Sequence, residues 1–210
     1  MSEFSSSLHL HDASLDAVVE LLRRAKVAGF VFPPEHGWIA FTALDPARVI
    51  AANEGRLVHY DFSSDHELLV EAFDGQKRLA RMKVDFEQPR ARFEAPKFVA
   101  HGLMTRAGVR KVEQWLETGG SRGAAVVAKA LGLTRFRWLS HAYELANDDP
   151  AVGRVEVDKR GAVRAAGPDE ALEPPLTAAM PRGTTNADFA DELQALADVS
   201  KTLSERKKRR

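Results

Sequence analysis

Two short segments place polar side chains that bind metals or move protons at alternate positions. Residues 6–11 carry His9 and His11, and residues 56–62 carry His59 and Asp61. Imidazole nitrogens and carboxylate oxygens are the donors that zinc takes. If the two segments are neighbouring strands, His9, His11 and His59, with Asp61, are expected to converge on one ion. The same alternation also describes the solvated side of an antiparallel sheet, so the spacing implies no cofactor by itself. Asp65 and His66, just before the next apolar run, are the next pair with acid–base chemistry; a turn accounts for them equally well.

The string GGSRG at residues 119–123 fits the G-x-S-x-G nucleophile pattern, with Ser121 as the serine. That elbow requires a strand before the serine and a helix after it. Here the preceding residues have helical periodicity, so Ser121 reads as the cap between two helices. Free N–H groups at the start of the second helix, beside Arg122, would also suit an anion.

Residues 124–143, AAVVAKALGLTRFRWLSHAY, resemble a helix-turn-helix. Ala128 and Gly132 stand four apart, as the small residue and the turn glycine do there. Val127, Leu131, Leu133 and Trp138 occupy the apolar places. The resemblance implies a recognition helix starting at Thr134, with Arg122, Thr134, Arg135 and Arg137 as candidate nucleic-acid contacts. His141 and the bulky Trp138 depart from the pattern, and an ordinary helical hairpin explains the same string.

Two further features suit a protein partner. Trp38 follows the rigid PPEHG loop and is a candidate anchor, or else a core residue of its strand. Near the end of the chain, Phe189, Leu193, Leu196 and Leu203 form one apolar stripe, the pattern of a helix that lies in a groove. This helix is expected over 186–210, ending in a basic tail.

Composition narrows the classes. The chain has 210 residues, no cysteine, and 30 basic against 30 acidic side chains. Thiolate metal sites, disulfides and cysteine nucleophiles are excluded. The neutrality conceals blocks: net −5 over 1–87, +7 over 88–140, −7 over 141–200 and +5 over 201–210. The basic blocks are where a polyanion would bind. No apolar run approaches the ~20 residues that span a bilayer, and the first twelve residues lack a basic, apolar leader. A cytoplasmic protein with no membrane partner is expected.

The elements that must position these residues follow from periodicity. Residues 6–11, 30–32, 38–42, 56–62, 67–73 and 76–86 read as strands. The last two form a hairpin about Asp74-Gly75. Leu15, Val18, Val19 and Leu22 mark an amphipathic helix, ended at Gly29. Asp45-Pro46 opens a second helix. The fold class is α+β: a mostly antiparallel sheet with helices on one face over 1–87, then a helical unit over 88–150. A hairpin and proline-rich arm follow over 151–185. In the helical unit Thr105, Ser121 and Thr134 are the expected caps.

The opening strand and helix followed by FVFPPEHGWI, and the later LGLTRFRWLSHAYEL, resemble uncharacterised bacterial α+β proteins. That resemblance implies no activity and carries over no catalytic residue. The expectation is a non-enzymatic interaction protein of regulatory or immunity type, with a protein partner or self-association. The alternatives are a nucleic-acid-binding regulator using 124–143, and a hydrolase or metal-dependent enzyme at the sheet's polar face.

Overall fold

A computed structural model describes residues 4–88, 90–119, 123–145 and 154–165. The chain divides into units Met1–Glu170 and Ala171–Arg210. Every described residue belongs to the first, so the expected boundaries at 87 and 150 fall inside it. The fold is α+β, built on one sheet. The strands are β1 (Phe4–His11), β2 (Gly29–Val31), β3 (Trp38–Ala43), β4 (Arg56–Ser63), β5 (Glu67–Asp74), β6 (Lys77–Asp85), β7 (Arg90–Phe93), β8 (Val155–Val157) and β9 (Val163–Ala165). They pair in the order β7-β6-β5-β4-β1-β3-β2-β8-β9, every pair antiparallel.

The helices are α1 (Leu15–Ala25), α2 (Pro46–Ala52), α3 (Ala95–Ala100), α4 (Arg106–Thr118), α5 (Gly123–Ala130) and α6 (His141–Leu145). Three of them start as local chemistry dictates. The Ser14 hydroxyl accepts from Ala17 N–H, the Asp45 carboxylate from Arg48 N–H, and the Thr105 hydroxyl from Gly108 N–H. Each cap satisfies a donor the first turn leaves open. Helix α1 ends at Lys26, which takes the left-handed conformation, and Gly29 instead begins β2.

Alternation along the strands places the two larger apolar cores on opposite faces. On one face Leu8, Leu10, Ile39, Phe41 and Leu57 pack under Val18, Leu21 and Leu22 of α1 and Val49 of α2. On the other, Val58, Tyr60, Leu68, Val70 and Met82 pack under Phe98, Val109, Val112 and Val127 of α3, α4 and α5. The Tyr60 hydroxyl, at the centre of this second core, donates to Ala124 O at 3.0 Å. Each such side chain contributes about 1.5–3 kcal/mol by leaving water. The two helices of residues 1–87 therefore share one face, as expected, and the helical unit covers the other. Among the described residues no helix covers the first face over β5–β7.

Local turn chemistry differs from expectation in instructive ways. The β2–β3 connection closes on His36 and Gly37, both with positive φ (50° and 80°), between reciprocal hydrogen bonds of Glu35 and Trp38. Two positive φ values are the signature of a type I′ turn. The β5–β6 turn centres on Gly75-Gln76 rather than Asp74-Gly75. Asp74 pairs with Lys77, and of the two expected residues only Gly75 has positive φ. Residues 90–93, expected to open the helical unit, form β7. The hairpin at 155–165 is not an appendage, because β8 pairs with β2.

Candidate functional site

The expected metal site does not form, and one residue of register decides it. β1 and β4 are neighbours, but Leu8 stands across from His59, and His9 stands across from Val58. Side chains of directly paired residues share a face, and a shift of one residue exchanges faces. His9 and His11 therefore lie on one side of the sheet, His59 and Asp61 on the other. Among the described residues no group of three His, Asp or Glu side chains could hold an ion.

Each imidazole has a local account. His9 is fully buried and shares a 3.0 Å hydrogen bond with the Ser7 hydroxyl. Burial, with the nearby His59, holds its pKa down at about 3. His11 pairs with Asp12 at 2.9 Å and meets the edge of Trp38 at 4.6 Å between ring centroids. His59 is buried with neither ring nitrogen hydrogen-bonded among the described residues, and burial lowers its pKa. Asp61, two residues on, is pushed up to about 6 by burial and by Glu67. His66 is exposed and bound to Glu87 at 2.5 Å.

The recognition helix expected from Thr134 is also absent. Residues 134–140 run as an irregular strap, with Trp138 at φ 52°, and helix α6 begins only at His141. The strap is held by tertiary contacts that outbid helical propensity. Phe136 and Leu139 are buried, and Leu139 O accepts from Ser6 N–H at 2.8 Å. Arg135 donates to Glu35 at 2.8 Å and lies 5.4 Å over the Phe32 ring. Hydrogen bonds from Thr134 and Arg135 hold the Glu35 carboxyl below its usual range. Two of the expected nucleic-acid contacts are thus occupied within the chain. Arg137 is exposed on the strap.

Trp38 is 7% exposed and belongs to the core, so it is not an exposed anchor. Ser121 and Arg122 lie outside the described residues. Helix α4 precedes them, so the strand that a nucleophile elbow needs is missing. Phe189, Leu193, Leu196 and Leu203 also lie outside the described residues.

The face that the sequence did not single out is the bare side of β5–β7. Cross-strand rows build it from charge. Glu71 stands across from Arg81, and Lys83 from Arg92; Asp85 stands across from Arg90. A hollow of about 500 Å³ opens here, lined by five cations (Arg78, Arg81, Lys83, Arg90, Arg92) and two carboxylates. Glu71 accepts from Arg78 at 3.1 Å and lies 3.4 Å from Arg81, while Glu67 meets Lys83 at 2.5 Å. Arg90 and Arg92, both exposed on the outermost strand, have no ion-pair partner among the described residues. The sequence signal was Arg90-x-Arg92 at the start of the +7 block. The expected change to helical period after Pro89 concealed it.

No helix among the described residues is long and apolar enough to cross a membrane. Comparison of the chain with protein-family models, with curated protein sequences and with solved structures finds no match.

Proposed function

We propose that this protein is a non-enzymatic interaction protein that holds an acidic partner protein on the bare, cationic face of β5–β7. The observation that carries this reading is the pair Arg90 and Arg92. They project from one face of the outermost strand, exposed and unpaired among the described residues, beside a hollow with three more cations than carboxylates. Such an arrangement steers an anionic surface and fixes its register. A protein partner is favoured over single-stranded nucleic acid because no described residue lining the hollow is aromatic. Base stacking, which such strands exploit on aromatic rings, has no platform there.

The test is fluorescence anisotropy with labelled poly-glutamate and a labelled oligonucleotide, at low and physiological ionic strength. Poly-glutamate binds in a salt-dependent manner. The double variant Arg90→Glu/Arg92→Glu weakens that binding by about tenfold or more. Absence of binding at low salt, or equal binding by the variant, overturns the proposal. Tighter binding of the oligonucleotide overturns it in favour of a nucleic-acid partner.

A further inference from the structure

We infer that the outer edge of β7 is a strand-addition site, which takes an extended segment of the acidic partner as an added strand. This rests on the functional reading above and specifies how the partner is held. Among the described residues β7 ends the sheet at one side. Glu94 N–H donates to Arg81 O on β6 at 3.1 Å. Inward and outward N–H groups alternate along an antiparallel ladder. Arg92 and Arg90 therefore turn their N–H groups in toward β6, and Phe93 and Ala91 turn theirs outward. No backbone hydrogen bond from Ala91 or Phe93 to a group beyond β7 is present among the described residues. The edge thus offers donors and acceptors in strand geometry, the template that an added strand completes.

Side chains select which strand fits. Arg90 and Arg92 stand two residues apart on one face, a separation of about 7 Å along the strand. Residues directly across an added pair lie with Cβ atoms about 5 Å apart. Carboxylates at alternate positions of the incoming segment therefore reach both guanidinium groups. On the other face, Ala91 is small and exposed, and Phe93 rests on Phe98 with ring centroids 5.4 Å apart. That side accepts an apolar side chain between the two acidic ones. The recognised pattern is acidic–apolar–acidic. The same arginines repel another copy's β7, since like charges directly opposite are destabilising.

The competing account is that the arginines only guard the edge against other strands. A labelled peptide of about eight residues alternating glutamate and valine separates the two. Two further versions carry N-methyl groups, one on the valine amides and one on the glutamate amides. Strand addition uses the backbone of one edge of the peptide only. The parent peptide binds, one methylated version is weakened by about tenfold or more, and the other is not. Ala91→Pro, which removes an outward donor and leaves the β6 ladder whole, weakens the parent peptide similarly. Amide exchange at Ala91 and Phe93 slows when the peptide is bound. Equal affinity of all three peptides overturns strand addition but leaves salt-dependent poly-glutamate binding, and with it the acidic-partner reading, standing. Failure of both peptide and poly-glutamate to bind overturns both. The peptide comparison uses the unmodified protein, so it holds even if Ala91→Pro does not fold.

Discussion

Arg154 pairs with Glu144 where the two side chains are only 7% and 9% exposed, and its guanidinium lies 4.7 Å over the ring of Phe30. A second bond runs from the same nitrogen to Glu144 O at 3.1 Å. The pair ties α6 to the residue that leads into β8, on the strap side of β2. Removing one member of a buried pair strands the other charge, at a cost of about 3–5 kcal/mol. Arg154→Ala therefore lowers stability by that amount in urea denaturation. The double variant Glu144→Leu/Arg154→Met recovers most of the loss, because neither charge then remains enclosed.

His9 and Asp61 give stability opposite dependences on pH. Burial lowers the folded pKa of His9 to about 3, from 6.5 when unfolded. The unfolded chain then binds the extra proton, so stability falls as pH drops from about 6.5 toward 3, by up to about 1.4 kcal/mol per pH unit. Asp61 is raised from 3.8 to about 6. Its contribution is fully present below 3.8 and is lost as pH rises through 6. His9→Asn is expected to flatten the acid limb of a stability–pH profile. Asp61→Asn raises stability above pH 6 relative to the parent protein, with the gain vanishing below pH 3.8. An unchanged acid limb in His9→Asn would contradict the burial argument.

Gly29 shows how closely β2 and β3 approach. A Cβ there would stand 2.2 Å from the carbonyl oxygen of Thr42, and the neighbouring Leu22 methyls lie 3.2 Å away. Backbone cannot yield as a side-chain tip does. Gly29→Ala is expected to cost about 3 kcal/mol, the upper end for overpacking. A calorimetric Tm within 2 °C of the parent protein, less than a 1 kcal/mol loss produces, would count against it.

Arg135 tests whether the strap is a structural or a binding element. Its pair with Glu35 is about one-third exposed on both sides, so solvent screening keeps the cost of Arg135→Ala near 1 kcal/mol. The variant is expected to lower the urea midpoint slightly. Affinity for poly-glutamate and for oligonucleotides should stay unchanged, in contrast to the Arg90 and Arg92 variants.

Much of this fold was legible wherever a residue's fate depends on near neighbours in the chain. The alternation of Val58, Tyr60 and Phe62 against Leu57, His59 and Asp61 set the two faces of β4. Asp45-Pro46 and Thr105 opened their helices by capping chemistry that needs only the next few residues. The α+β class followed from the same periods. What local pattern could not carry was β7. Its four residues sit between prolines, and only the ladder with β6 makes them a strand.

The tertiary structure decided the rest, because sites depend on which strands meet and in what register. Three imidazoles at suitable spacings are separated by the sheet, since Leu8 and not His9 faces His59. Thr134 and Arg135 look free in sequence and are held by Glu35, a hundred residues away. Helical propensity over 134–140 gives way to burying Phe136 and Leu139, a gain in apolar contact larger than the few tenths of a kcal/mol per residue that propensity offers. The charge blocks were determined by the sequence. That Arg90 and Arg92 end on the edge strand, on a face that no described helix covers, was determined by strand order alone.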